Sequence, residues 1–301
     1  MSKIILVSGT TASGKSEFAV KLAKKINGEI INADSMQIYK EIKILNTRPG
    51  KILINKVKHH LYGFHSVKKK FSVGDWLNLS KKKIDYIFRK KKVPIIVGGT
   101  GLYFKSLTDG LVKIPNIPSK LRKEIIKHQK KLGQKKFFKE LIKLDPKCNE
   151  RLDPGDSQRS IRAFEVKKFS GISLFDWFSK TKSHYDKNRF IKIYLDFPRE
   201  MIVKRIEARS KKIIGKQSIN EVKNFNKLKV KRSLSSNKII GILEITDFIA
   251  KKYDLKELQE KISIKTRQYA KRQATWARGQ MSDWIRVSEV ETKNYIKNFK
   301  Y

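Results

Sequence analysis

A lysine and a serine end a glycine-bounded loop near the start of the chain: Gly9-Thr10-Thr11-Ala12-Ser13-Gly14-Lys15-Ser16. The spacing fits G-x-x-x-x-G-K-[ST], and it lies between the apolar run Ile4-Ile5-Leu6-Val7 and a helix expected over Glu17 to Lys25. In that context the glycines let backbone amides curl around phosphate oxygens, and the helix N-terminus adds partial positive charge. Lys15 is placed to neutralise the outer phosphate and Ser16 to ligate magnesium. The loop therefore announces a diphosphate or a triphosphate. Asn226-Lys227-Leu228-Lys229 lacks the aspartate that would read guanine. Ile95-Ile96-Val97 runs into Gly98-Gly99 with no acidic residue to hold magnesium, which disfavours a motor ATPase. A small kinase stays open, because Arg205 and Arg209 share a helix face and resemble the lid arginines that clamp a phosphoryl group.

A second reactive group follows the next strand. Asn32-Ala33-Asp34-Ser35-Met36-Gln37-Ile38-Tyr39 puts Asp34 beyond the carboxyl end of Glu29-Ile30-Ile31-Asn32, where open α/β sheets keep their ligand crevice. A carboxylate there can hold magnesium, cap a helix or take a proton from a nucleophile.

These groups need a scaffold. Short apolar runs at 4–7 and 94–97 read as buried strands and 29–32 and 191–195 as further strands, with helices between them. Ser72 and Asp75 read as a capping box opening a helix to about Lys91, Ser218 and Glu221 as a second, and the last long helix is expected from Asp254 to Gln280. The alternation predicts a parallel sheet wrapped by helices. Between them lies a basic, helical stretch broken at Pro115, Pro118, Pro146 and Pro154. The expected division is an α/β core over 1–110 and 189–301 and a helical insertion over 111–188.

Among 301 residues, 70 Lys+Arg stand against 28 Asp+Glu, a net charge of +42 that attracts polyanions. Runs such as Lys68-Lys69-Lys70 read equally as solvated surface. One cysteine, Cys148, allows neither an internal disulfide nor a cysteine zinc cluster, which suits a reducing cytosol. No apolar run approaches the ~20 residues of a membrane span, and the N-terminus does not read as a signal peptide. His59 and His60 read as structural hydrogen-bonding residues, and Trp76, Trp177 and Trp284 as packing residues.

Taken together, the motifs resemble those of the tRNA dimethylallyltransferases, or tRNA isopentenyltransferases, in their short bacterial form. After the phosphate loop, Ile31 to Tyr39 is similar to I-x-A-D-S-x-Q-x-Y. Thr47-Arg48-Pro49 is similar to T-x-P, His59-His60-Leu61 to H-H-L, and Val97 to Tyr103 to V-G-G-T-G-L-Y. Asp156 to Glu165 resembles D-x-Q-R-x-x-R-A-x-E, and Tyr269 to Trp276 resembles Y-A-K-R-Q-x-T-W. The matches run in order along nearly the whole chain. The region after Arg209 departs: the family's R-V-D-x-M is replaced by Arg209-Ser210-Lys211-Lys212-Ile213.

The resemblance implies a P-loop, nucleotide-kinase-like core that moves a dimethylallyl group from its diphosphate to the exocyclic N6 amine of the adenosine 3′ to the anticodon. It implies that Gly9, Thr10, Thr11, Ala12, Ser13, Gly14, Lys15 and Ser16 hold the diphosphate, with Mg2+ on Ser16. Lys15 and Arg209 would stabilise the leaving group, Asp34 would act as base and Thr100 would support the reacting end. The tRNA anticodon stem-loop would meet Asp34, Ser35, Met36, Gln37 and Thr100. It would also meet Gln158, Arg159, Ser160, Ile161 and Arg162, with Arg122 a further contact. A cytoplasmic monomer without an obligate protein partner is the corresponding expectation.

Overall fold

The computed structural model describes residues 2–112 and 114–301. The chain forms two compact units, Met1–Thr108 with Tyr185–Tyr301 and Asp109–His184.

The first unit is built on strands β1 (Ile4–Gly9), β2 (Gly28–Asn32), β3 (His59–His60), β4 (Val93–Val97), β5 (Phe190–Leu195) and β6 (Ile285–Val287). They form one sheet in the order β3-β2-β4-β1-β5-β6, every pair parallel. β1, β2 and β4 are buried along their whole length, as the apolar runs of β1 and β4 require. Register brings Val7 and Asn32 level with Val97, so the loops after β1, β2 and β4 leave the sheet side by side.

Its helices are α1 (Lys15–Lys25), α2 (Lys51–Ile54), α3 (Val73–Arg89) and α4 (Gly101–Thr108) before the insertion. The helical unit contains α5 (Ser119–Leu132), α6 (Gln134–Leu144), α7 (Ser157–Ser170) and α8 (Leu174–Ser179). The first unit resumes with α9 (Arg199–Ile213), α10 (Lys216–Lys227), α11 (Ile242–Ile249), α12 (Leu255–Gln280) and α13 (Thr292–Asn298). One apolar cluster, with Trp76, Phe104 and Trp284, packs against one side of the sheet residues, and a second, with Phe18 and Leu22, against the others.

One cap appears as the sequence predicts, and a second opens the helix expected from Asp254. Ser72 and Asp75 form a reciprocal box at α3, and Asp254 and Glu257 form one at α12. The Ser218–Glu221 expectation is corrected. α10 starts earlier, with Gly215 as its cap, and Ser218 lies inside the first turn, where its hydroxyl accepts from the Gly215 N–H. Residues 185–188 also leave the expected insertion, because Tyr185 is buried in the α/β unit with its ring against Phe190. The strands β3 and β6 are too short to stand out in the sequence.

In the helical unit, Ile125, Phe137, Phe138, Leu141, Cys148 and Phe164 form a separate core. Trp177 packs at its margin. No helix is long and apolar enough to cross a membrane among the described residues.

Candidate functional site

The loop after β1 turns into α1 through Ala12 and Gly14, both at positive φ, 67° and 79°. Gly14 carries that angle at no steric cost. The turn aims Lys15 and Ser16 into a cavity of about 490 Å3 at the carboxyl ends of the strands. Lys15 Nζ donates to the Thr10 carbonyl at 2.6 Å. Burial pushes the Lys15 ammonium down to about 8; Asp34 pulls it back up and Arg209 adds to the depression. Ser13 Oγ is buried in the loop with no hydrogen-bond partner among the described residues.

Asp34 lines the same cavity, as do Met36 and Gln37. Its Oδ1 accepts from the Met36 N–H at 2.9 Å, an Asx turn that fixes the carboxylate. Below it, Asn32 braces the turn. The Asn32 amide donates to the carbonyls of Asp34 and Leu61, each at 3.0 Å, and its oxygen accepts from the Asp34 N–H at 2.9 Å. Trp76, read as packing alone, also donates its indole N–H to the Asn32 carbonyl at 2.7 Å.

The loop after β4 fits against this turn because it has no side chain there. A Cβ on Gly98 would overlap the Ala33 carbonyl. Thr100 Oγ1 accepts from the Ser35 N–H at 2.9 Å and donates to Ser35 Oγ at 3.3 Å. Thr100 is thus a brace for the Asp34 turn and does not itself line the cavity.

Arg205 and Arg209 both line the cavity from α9, but they are held differently. Arg209 Nη2 donates to Thr11 Oγ1 at 2.7 Å, and burial lowers its guanidinium below the ordinary arginine value while Asp34 raises it. Arg205 is ion-paired to Glu289 and lies over the Phe197 ring. Arg209 bonds the phosphate loop directly, while Arg205 lies beside it near Gly14 with its charge taken by Glu289.

Sequence reasoning missed Gln273 as a cavity residue. From α12 its Oε1 accepts from the Thr11 N–H at 2.7 Å and its Nε2 donates to the Gly99 carbonyl at 2.9 Å, tying the loops after β1 and β4 together. It also missed Glu221. That carboxylate accepts from the backbone N–H groups of Lys43, Ile44 and Leu45 at 2.6–3.0 Å and so fixes the loop that carries Asn46 and Thr47 into the cavity. One apolar stretch of the wall is made by Leu45, Ile213, Ile239, Ile240 and Ile262, with Tyr269 also lining the cavity. The departure from the family pattern after Arg209 falls on this wall at Ile213. Tyr269 faces the cavity; its hydroxyl is raised by burial and by Asp34.

Among the described residues no group of three or more His, Cys, Asp or Glu side chains could cage a metal. Ser16 and Asp34 nonetheless share the cavity with the phosphate loop. That donor set fits magnesium, a hard cation that keeps water and takes phosphate oxygens with one or two protein ligands. His59 and His60 serve the sheet instead. His60 Nε2 lies 2.7 Å from buried Glu29, which Lys92 also meets at 3.0 Å.

In the helical unit, Asp156 caps α7 by accepting from the Arg159 N–H at 2.9 Å. Gln158 and Arg159 are exposed and Arg162 is half-exposed. Ser160 is fully buried, its hydroxyl donating to the Asp156 carbonyl at 2.7 Å, and Ile161 packs against the unit's core. The Ser160 side chain is thereby withdrawn from the surface, which corrects the expectation that it faces RNA, whereas Ile161 stays partly exposed. The reason is helical geometry: Ser160 falls on the face of α7 that also buries Ala163 and Phe164. Arg122 on α5 is exposed.

Residues 37–280 match the family model described as IPP transferase, and residues 2–62 match that of Isopentenyl transferase. A tRNA dimethylallyltransferase of Pelagibacter ubique (strain HTCC1062) is 56% identical over 299 residues, covering 99% of this chain and 96% of that protein. One from Ehrlichia canis (strain Jake) is 39% identical over 303 residues, covering 100% of both. Among solved structures, the tRNA isopentenylpyrophosphate transferase of Bacillus halodurans superposes with a TM-score of 0.69 at 29% identity, over 99% of this chain and 94% of that one. A eukaryotic dimethylallyltransferase acting on tRNA shares the fold at a TM-score of 0.84 and 24% identity, over 99% of this chain and 76% of that one.

Proposed function

The chain belongs to the IPP transferase family, and from that premise we infer how its cavity carries out the reaction. It is a prenyl transferase that modifies tRNA, and the kinase reading falls away. The dimethylallyl group comes from dimethylallyl diphosphate and goes to the N6 amine of the adenosine 3′ to the anticodon. The observation that carries this reading is one cavity shared by a phosphate-loop lysine, a fixed aspartate and an apolar wall.

The loop amides, Lys15 and Arg209 take the diphosphate and stabilise the charge that gathers on it as the allylic carbon–oxygen bond breaks. Magnesium, when bound at Ser16, supplies further neutralisation of the leaving group. Leu45, Ile213, Ile239, Ile240 and Ile262 take the five-carbon chain and keep water from the allylic carbon. The adenine amine is a weak nucleophile, since its lone pair is delocalised into the ring, so positioning supplies much of the rate. Asp34, held by the Met36 N–H through one oxygen, takes the amine proton with the other. The target base leaves its stack to reach the cavity. Gln158, Arg159, Arg162 and Arg122 on the helical unit take the anticodon stem-loop, and a tRNA substrate implies work in the cytoplasm.

The test is direct. Purified protein is incubated with labelled dimethylallyl diphosphate, magnesium and unmodified tRNA. Label entering tRNA is the expected outcome. Phosphorylation of a small acceptor from ATP, with no label in tRNA, would overturn the reading.

A further inference from the structure

Glu165 lies on α7 with its side chain fully buried beside the helical unit's apolar core. A carboxylate is costly to bury unless charge and hydrogen bonds compensate it. Two guanidiniums do so from two helices. Arg122 Nε, from α5, lies 3.2 Å from Oε1, and Arg162 Nη1, one turn back on α7, lies 3.3 Å from Oε2. Oε1 has no aligned hydrogen bond, so Arg122 is held chiefly by charge.

Both arginines reach outward. Their side chains are 61% and 39% exposed, and each engages Glu165 through a single nitrogen. A guanidinium carries five N–H donors, so most of each remains for a ligand. Arginine side chains lose rotamer freedom on binding, and a partner that fixes them beforehand removes that loss from the binding step. Arg159 differs: its partner Asp156 is itself 28% exposed, and an ion pair in water fixes little.

We propose that Glu165 is a positioning residue for RNA binding, holding Arg122 and Arg162 as a preset pair of guanidiniums for backbone phosphates of the tRNA. The proposal rests on the reading of the helical unit as an RNA-contacting surface. It makes a prediction whose sign differs from simple electrostatics. By charge alone, removing a carboxylate from a basic surface tightens its grip on a polyanion. If Glu165 positions the arginines, removing it weakens that grip.

The experiment measures affinity of the full-length protein for unmodified tRNA across a salt series, using fluorescence anisotropy. Arg122→Ala and Arg162→Ala together should weaken binding by at least about tenfold and flatten the salt dependence. Glu165→Gln should weaken it several-fold, and that loss should vanish when both arginines are already alanine. Binding by Glu165→Gln as tight as or tighter than wild type overturns the proposal, as does a loss that persists without the arginines. Circular dichroism and thermal melting report whether Glu165→Gln folds. If it does not, Glu165→Asp decides, because it keeps the charge but shortens the reach. Weaker binding that depends on the two arginines then supports the proposal, and wild-type affinity overturns it. An unchanged affinity in the double arginine variant would remove the RNA-surface reading and this proposal together. Weak binding there with no loss in the Glu165 variant removes this proposal alone.

Discussion

Lys15 and Arg209 in the α/β unit are partly buried and lowered by desolvation, and the acceptors they bond are a neutral carbonyl and a neutral hydroxyl. In the helical unit Arg122 is exposed and Arg162 half-exposed, and a buried carboxylate compensates both. The two arrangements suit two anions. A small diphosphate that fills a cavity meets cations in a low dielectric, where each interaction is strong and no solvent must rearrange. A nucleic-acid backbone is long and hydrated, and binds through exposed cations that release its counterions and set its register. On the function proposed, desolvation separates the cations that would stabilise a leaving group from those that would hold a polymer.

The largest expected effect tests the buried side. Asp34→Asn keeps the Asx turn but cannot accept the amine proton, so transfer to tRNA should fall about 10²–10⁴-fold in single-turnover assays. tRNA affinity should stay within a few-fold of wild type; near-normal turnover would remove Asp34 from the chemistry. A pH series sharpens the contrast next. Because burial holds Lys15 at about 8 in the free protein, its charge is present below that pH and lost above it. Calorimetric affinity for an unreactive dimethylallyl diphosphate analogue should be level below pH 8 and then decline by up to about tenfold per pH unit. Lys15→Arg should abolish that decline, and tRNA binding should lack the inflection. Removing the tie between loops comes third. Gln273→Leu breaks two hydrogen bonds of roughly 1 kcal/mol each, so donor kcat/KM should drop about tenfold or somewhat more. An unchanged kcat/KM would make Gln273 a spectator. The smallest effect belongs to the exposed side. Arg159→Ala should weaken tRNA binding by less than about tenfold, reduce its salt dependence and leave the donor KM nearly unaltered. The reverse pattern would put the RNA surface elsewhere.

How much of this was legible in advance depended on distance along the chain. The phosphate loop, the buried strands and the Asp34 turn are each written within about ten residues, where local geometry follows local sequence. Gln273 meets Thr11 across 262 positions, and nothing in its own neighbourhood points to that partner. Glu221 looked like part of a helix cap, yet its carboxylate collects the amides of a loop 176 to 178 positions away. The apolar wall is drawn from Leu45, Ile213, the Ile239–Ile240 pair and Ile262, which sit on separate segments and have no common motif. Ser160 erred the other way: it stands inside a recognisable motif, but the helix turns it inward.

The amino-acid order alone determined where the candidate groups lie, because a phosphate cradle and a strand-end carboxylate are properties of short segments whose backbone has few alternatives. It also determined the parallel sheet, through apolar runs that are stable only when covered on both faces. Tertiary structure alone decided which cations are stripped of water, which are compensated by a carboxylate, and which distant side chains brace the loops. Those outcomes are set by burial and by contacts between remote segments, and solvation is a property of the folded surface rather than of any residue in the chain.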